Sequence, residues 1–347
     1  MLSEAYQDLG KSIKEVKQKC LAEIKLLVQQ AVTKLQGNGF QVYVAESAAR
    51  ASEYISSLLE RNKPVLLAGT TIDKELGLYE FLSGQGYEVI DAGPDSRALR
   101  ILSLEPGHPI YHLSGYEKTD ICNRLKAYYG ENDFSLEDWQ EEHFKLLAAA
   151  GAGITGCTAI IAQEGVILIS EERENIHIAS TLPPVHILVV GMDKIVHNLE
   201  EALLVARGVS FYGMGKPVSR NLFFIAGPSA TADIQGLIVR GMHGPREVHV
   251  ILLDNGRTEA LKQPARDLLM CIECGNCLKA CQVCQQKGPV FSKYQAPPFY
   301  SSWTLARGGN QGDCLNCGLC IQACPLGINI FKILKESGQS GLFGEVT

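Results

Sequence analysis

The sequence is short of positive charge. Its 32 Lys+Arg face 38 Asp+Glu, a formal net charge of −6. This balance argues against a nucleic-acid binder, which presents a basic face. A secretion signal is also missing from the start. Met1-Leu2-Ser3-Glu4-Ala5-Tyr6-Gln7-Asp8 has neither a basic n-region nor an apolar h-region. No run is apolar and long enough for a bilayer. The nearest, Leu146 to Ala162, is built of Ala and Gly, is interrupted by Thr155 and Thr158, and reads as a turn and a buried strand. Heptads, low-complexity tracts and a flavin motif are likewise missing. Cysteine is scarce over most of the length, with only Cys20, Cys122 and Cys157 before residue 270. A disulfide-stapled secreted fold is therefore not expected.

The remaining nine of the 12 cysteines crowd between Cys271 and Cys324. With no signal for export, this is cysteine used for metal in a reducing compartment, and the expected location is cytoplasmic. Two runs share the spacing C-x2-C-x2-C-x3-C: Cys271, Cys274, Cys277, Cys281 and Cys314, Cys317, Cys320, Cys324. In this pattern a tight loop aims three thiolates at one cubane, and the fourth ligates the other cluster. The spacing predicts two [4Fe–4S] clusters. One is held by Cys271, Cys274, Cys277 and Cys324, the other by Cys314, Cys317, Cys320 and Cys281. Each fourth cysteine is expected to start a helix. Zinc is the competing reading, since paired C-x2-C also builds zinc knuckles, but each run here holds four cysteines in one block. Cys284 is left over. The insert before Cys314 carries Pro289, Pro297, Pro298, Phe299, Tyr300 and Trp303, and either covers a cluster or docks a partner, or is a plain surface loop.

Upstream, the pattern alternates. Residues 3 to 36 have apolar positions at helical spacing, including Ile13, Cys20 and Leu27, and Gly37-Asn38-Gly39 stops the helix. Strands are predicted at 40–44, 65–69, 87–90, 158–162, 166–170, 186–190, 222–226 and 248–253, with helices from Ser47 to about Arg61, over 73–83 and over 136–150. Such alternation favours an α/β domain with a parallel, helix-covered sheet. The expected organisation is an N-terminal helical segment (1–38), an α/β domain (39–258) and a ferredoxin-type module (259–347).

Gly151-Ala152-Gly153-Ile154-Thr155-Gly156 matches G-x-G-x-x-G literally, but a helical pattern precedes it and a strand follows. A dinucleotide fingerprint needs strand, glycines and helix in that order, so no NAD site is expected. The candidate catalytic residues are Glu164, in a turn between strands, and His243, in the loop Gly241-Met242-His243-Gly244-Pro245. Thr155 and Gly156 are candidates to line a cleft. Ser229, Thr231 and Asp233 follow Gly227-Pro228, and a helix starting there would offer N–H groups to a carboxylate or phosphate. His186 reads as a core histidine and Lys194 as a surface cation at a strand end.

Several segments carry a resemblance. They are Ile154–Gly165, Leu182–Ile187, Val190–Val196, Gly227–Ile234, Gly241–Pro245 and Leu253-Asp254-Asn255-Gly256-Arg257. In this order they resemble the LUD domain of bacterial lactate-utilisation proteins. With the paired cysteine motifs behind them, they resemble the lactate utilisation protein B family. The resemblance implies a NagB/RpiA/CoA-transferase-like fold with a ligand cleft at strand ends. It also implies an iron–sulfur subunit in a complex that oxidises L-lactate, or a related 2-hydroxy acid, to the 2-oxo acid. Expected partners are other redox subunits, of lactate-utilisation or heterodisulfide-reductase-like type, with a small carboxylate as possible ligand. With no flavin motif in this chain, the two-electron step needs a cofactor on a partner. Two alternatives stay open: a CoA-transferase or isomerase-like enzyme, or a redox-sensing binding module, each with an appended ferredoxin domain.

Overall fold

The computed structural model describes residues 2–104, 117–130, 135–171, 175–232, 238–282, 315, 317–329 and 332–333. Its strands are β1 (Gln41–Ala45), β2 (Val65–Leu67), β3 (Val89–Asp91), β4 (Ala152–Thr155), β5 (Ala159–Ile161), β6 (Val166–Glu171), β7 (Val185–Gly191), β8 (Ile195–Val196), β9 (Asn221–Ile225), β10 (Ala230–Ala232), β11 (Ile238–Arg240) and β12 (Glu247–Leu253).

Six of them form a sheet in the order β1-β12-β7-β4-β2-β3, every neighbouring pair parallel. All seven residues of β7 are buried, as are those of β2 and β4. Strands covered on both faces need continuous apolar runs rather than alternation, and Val185-His186-Ile187-Leu188-Val189-Val190 supplies one. A second sheet, β8-β5-β6-β9, is mixed, with antiparallel pairs on both sides of β6. β10 and β11 form a separate antiparallel ribbon.

The predicted N-terminal helix is two helices, Leu2–Ala22 and Ile24–Gly37, interrupted at Glu23. Ser47 caps Ala48–Leu58, its side chain accepting from the Arg50 amide. The helix expected over 73–83 is split into Thr71–Leu76 and Leu78–Gly84, because Gly77 sits in the left-handed region (φ 59°). Helices Pro94–Ile101, Lys118–Tyr129, Ile176–Thr181 and Leu199–Met214 were not foreseen. Gly153 lies inside β4, where an added Cβ would stand 1.8 Å from the Ala179 carbonyl oxygen. The glycine-rich run therefore lets Ile176–Thr181 press against the sheet.

The helix Leu2–Ala22 does not lie apart from the cysteine module. Leu9, Ile13 and Leu21 share one buried core with Val205 and Tyr212 of Leu199–Met214, with Leu268, Leu269, Met270 and Ile272, and with Leu326 and Ile328. The approach is close. A Cβ on Gly10 would stand 2.4 Å from the Pro325 carbonyl oxygen, and one on Gly208 2.3 Å from Ile13 Cδ1 and 3.1 Å from Ile272 Cδ1. This core joins the start of the chain, the α/β domain and both flanks of the cysteine motifs. Among the described residues no helix is long and apolar enough to cross a membrane.

Candidate functional site: a cleft walled by the first cysteine loop

A cavity of about 130 Å³ opens where the parallel strands end. Val189, Val190 and Gly191 of β7 and Gly156 and Cys157 after β4 form its floor, with Thr70–Ile72 after β2. The open end of the β5–β6 hairpin contributes Thr158, Ile169 and Ser170. Carboxyl ends of parallel strands are where ligands bind in open α/β sheets. The remaining wall comes from elsewhere in the chain. Ile272 and Glu273, between the first two motif cysteines, line the same cavity.

Two charged groups face each other across that junction. Lys194, just past β7, places Nζ 3.0 Å from Glu273 Oε1, with the lysine side chain only 11 % exposed. Burial works against its ammonium, but the charges of Glu273, Asp193 and Cys271 outweigh it and hold its pKa above the usual lysine value. The expectation of a surface cation is thus corrected: the segment after β7 turns under the cysteine loop, and the Lys194 side chain is largely covered with it. Behind it lies Asp193, whose Oδ1 accepts from Arg257 Nε at 2.5 Å. Arg257 also forms a fork with Glu75, through Nη1–Oε1 at 2.9 Å and Nη2–Oε2 at 2.8 Å. Lys17 donates to the Asp193 carbonyl. Burial would raise the Asp193 pKa, but Arg257, Lys194 and Lys17 overcome it, and the carboxyl stays ionised below its ordinary value. Asn255 Nδ2 adds a 2.7 Å bond to Glu75 Oε1. Asp193, Lys194, Asn255 and Arg257 come from the Met192-Asp193-Lys194 and Asp254-Asn255-Gly256-Arg257 segments. The sequence marked the segments but not their meeting.

The candidates named from sequence are scattered. Gly156 lines the cleft, packed against Thr70. Thr155 is fully buried and its Oγ1 bonds His186 Nε2 at 2.8 Å. Burial pushes His186 down to about 3, so it is a neutral core histidine, as expected. Glu164 is exposed at the tip of the β5–β6 hairpin, away from its open end, where Asn38 Nδ2 donates to its carbonyl oxygen. His243 is exposed beside the starts of β7 and β12, the opposite edge of the sheet from the cleft. A seven-residue strand puts those two edges roughly 20 Å apart. Neither Glu164 nor His243 lines the cavity. The helix expected at Ser229 is also corrected. Ser229 precedes β10, and exposed Thr231 pairs with Val239 in the ribbon. The Ser229 hydroxyl accepts from the His243 amide at 3.1 Å and so shapes that loop. Ala230–Ala232 is extended, so among the described residues no helix begins at Ser229. Asp233 lies outside the described residues.

The two cysteine motifs are locally alike. Gly275 and Gly318 both adopt left-handed φ (72° and 76°) and open one-turn helices, Asn276–Ala280 and Leu319–Ala323. Any other residue would be strained at that φ. Cys281 and Cys324 cap the C-terminal ends of these helices; helical Gln282 follows Cys281, where the sequence expects a helix to start, whereas Pro325 and Leu326 form a turn after Cys324. The left-handed glycine starts the helix two residues before the third cysteine, so one turn is complete at the fourth. Asn276 Nδ2 ties the helices together, donating to the Ala323 carbonyl at 2.7 Å.

All described cysteines are free thiols. Burial pushes the Cys277 thiol well above its usual pKa, and the neighbouring sulfurs of Cys271, Cys274, Cys324 and Cys320 push it further. Burial likewise raises Cys274 to about 11, with Cys324 adding to it. Cys320 and Cys324 of the second motif thus lie near enough to Cys277 of the first for their charges to act on it. No three motif sulfurs among the described residues approach within 4.8 Å of one another, the convergence a single ion needs. Buried thiols that crowd at wider spacing suit a cluster, whose irons supply the positive charge that stabilises thiolates. Cys314 and Cys284 lie outside the described residues.

Comparison with known proteins agrees with this architecture. The family model described as "LUD domain" matches residues 28–253, and "4Fe-4S dicluster domain" matches residues 267–328. The chain is 26% identical to "Lactate utilization protein B" of Macrococcus caseolyticus, over 93% of this chain and 69% of that protein. It is 26% identical to the protein of the same name from Bacillus subtilis, over 97% and 73%. It is also 24% identical to "Uncharacterized electron transport protein YkgF" of Escherichia coli, over 92% and 69%. Among solved structures, a DUF162 family protein from Deinococcus radiodurans matches at 19% identity and a TM-score of 0.38, covering 66% of this chain and 98% of that one. With the LUD match spanning well over half of its length and a 4Fe-4S module behind it, the chain belongs to the LUD domain family.

Proposed function

We propose that this chain is a cytoplasmic iron–sulfur subunit that takes electrons from the oxidation of L-lactate, or a related small 2-hydroxy acid, and passes them to redox partners. The observation that carries this reading is the shared wall: Ile272 and Glu273 belong at once to the cleft and to the first cysteine loop. A ligand in the cleft would lie against the polypeptide that holds a cluster. The relatives' names supply the substrate class, and a cavity of about 130 Å³ suits a three-carbon acid rather than a nucleotide.

In this reading Cys271, Cys274, Cys277 and Cys324 hold one [4Fe–4S] cluster, and Cys314, Cys317, Cys320 and Cys281 hold a second. Bound clusters supply one-electron transfer, with potentials set by burial and by hydrogen bonds to sulfur. The chain's own residues do the rest. The Glu273 amide donates to Cys271 Sγ at 3.3 Å and the Ile328 amide to Cys324 Sγ at 3.5 Å. Lys194 offers a cation at the cleft wall for a substrate carboxylate. Arg257, locked by Glu75 and Asp193, keeps the floor rigid. The apolar side chains Ile72, Ile169, Val189 and Ile272 exclude water. The two-electron step itself belongs to a cofactor on a partner subunit.

The test is anaerobic. Purified protein should carry about eight irons and eight labile sulfides per chain. L-lactate added with the partner chains should bleach the cluster absorption. Full iron content with no bleaching by any 2-hydroxy acid, partners present, would refute the assignment.

A further inference from the structure

Away from the cleft and the cysteine motifs, three side chains from three segments converge. Cys20 lies in the last turn of the helix Leu2–Ala22, His197 follows β8, and Glu201 stands in the first turn of Leu199–Met214. Their ligand atoms form a tight triangle. Cys20 Sγ lies 3.4 Å from His197 Nδ1 and 3.5 Å from Glu201 Oε2, and His197 Nδ1 lies 2.9 Å from Glu201 Oε2. Cys20 is 1% exposed, and the other two side chains are 12% exposed. We propose that Cys20, His197 and Glu201 bind one zinc ion, with a water as the fourth ligand, and that this ion clamps the N-terminal helix to the α/β domain.

Three arguments support it. The first is metric. Tetrahedral zinc, with bonds of about 2.3 Å to sulfur and about 2.0–2.2 Å to nitrogen and oxygen, needs ligand edges of roughly 3.3–3.6 Å. Two of the three edges already have that length, and the third lengthens once its hydrogen bond gives way to the metal.

The second argument concerns the far side of the ring. Glu23 Oε2 lies 3.0 Å from His197 Nε2. A neutral imidazole flanked by two carboxylates turns a lone pair toward one of them. With zinc on Nδ1, the remaining Nε2–H donates to Glu23, the carboxylate–histidine–metal arrangement that orients metal ligands. The rival is an imidazolium held between the two carboxylates. The third argument is the orientation of Glu201. Oε2 accepts the His197 amide at 2.8 Å and Oε1 faces Lys19 Nζ at 3.8 Å, which fixes the carboxylate toward the triangle.

Cys20 is a thiol without metal, since burial and Glu201 push it up to about 12. Zinc uptake would therefore release its proton to solvent, and affinity would rise with pH. The site differs from the cluster motifs, whose described sulfurs stand farther apart. Among the described residues it is the one group of three such side chains whose ligand atoms converge within 4.8 Å.

The experiment is metal analysis of the anaerobic full-length protein after one equivalent of zinc chloride and removal of unbound metal. One zinc per chain is expected in wild type. The same single zinc is expected in wild type that keeps its full iron, whose occupied cluster sites cannot hold it. Cys20→Ser and His197→Gln should retain less than a tenth as much, and Glu23→Gln should weaken binding by about 10–100-fold. Cobalt(II) added to wild type should give a thiolate-to-cobalt charge-transfer band that Cys20→Ser lacks, a readout independent of stability. Wild type that keeps no stoichiometric zinc, or zinc held equally by Cys20→Ser, would overturn the site and leave the imidazolium bridge.

Discussion

Lys194 and Glu273 meet at 3.0 Å, and through them the floor of the α/β cleft touches the loop between the first two motif cysteines. One residue lies three positions past the end of β7, a strand of the parallel sheet. The other lies about 80 residues later, among groups whose chemistry is quite different. The pair makes the cleft and the cysteine module one site.

Replacing Lys194 tests this junction. Lys194→Gln keeps most of the volume, removes the cation and leaves Glu273 partly buried without its partner. Iron content should stay near that of wild type. Lactate-driven cluster reduction with partners present should fall by more than tenfold. Equal rates in both proteins would remove Lys194 from the account.

Arg257 holds two buried carboxylates at once. Arg257→Ala would take the guanidinium from Glu75 and Asp193, and breaking a buried pair costs about 3–5 kcal/mol. Arg257→Lys, lacking the fork, should recover only part of the loss. Thermal unfolding of the two variants under anaerobic conditions gives the order wild type, Lys, Ala.

Gly10 should break the ordinary helix rule. Glycine to alanine in a helix interior usually stabilises by about 1 kcal/mol. Here the added Cβ would meet the Pro325 carbonyl oxygen at 2.4 Å, next to Cys324. Gly10→Ala should instead destabilise by about 1–3 kcal/mol and speed loss of iron to a chelator. A more stable variant would show that this helix does not pack on the module.

Much of the fold was legible. The strands over 65–69, 166–170 and 248–253 announced themselves as short apolar runs, because a parallel sheet buries both faces. Leu199–Met214 escaped notice. Its Gly208, Ser210 and Gly213 dilute the helical signal, since the helix is packed too closely against Ile13 and Ile272 to carry bulk. Only the Asn198 cap and the Glu200-Glu201 pair marked its start. The cysteine motifs were readable because their spacing is local. The cleft was not. Lys194, Arg257, Glu75 and Glu273 are far apart in sequence, and only the crossing of the chain brings them together. Glu164 and His243 looked reactive because they lie in glycine-rich turns, yet such turns occur at both edges of a sheet.

Asp73 gives a pH test. Its carboxyl is buried, and burial pushes it up to about 7 despite the bond from the Thr70 amide. The unfolded chain loses that proton near the ordinary value, about 4. Between pH 4 and 7 the folded state therefore holds more protons, and stability falls as pH rises through this window. Asp73→Asn should abolish that component. The difference in unfolding temperature, variant minus wild type, should grow from pH 5 to pH 8. A difference independent of pH would show that Asp73 ionises normally.

The central claim is that a ligand in the cleft is felt by the cluster beside it. Electron paramagnetic resonance of the reduced protein, titrated with L-lactate or pyruvate, reads this directly. The account predicts a saturable change in the cluster signal that Lys194→Gln suppresses. A spectrum unaltered by either acid, in protein with its full iron content, would contradict it.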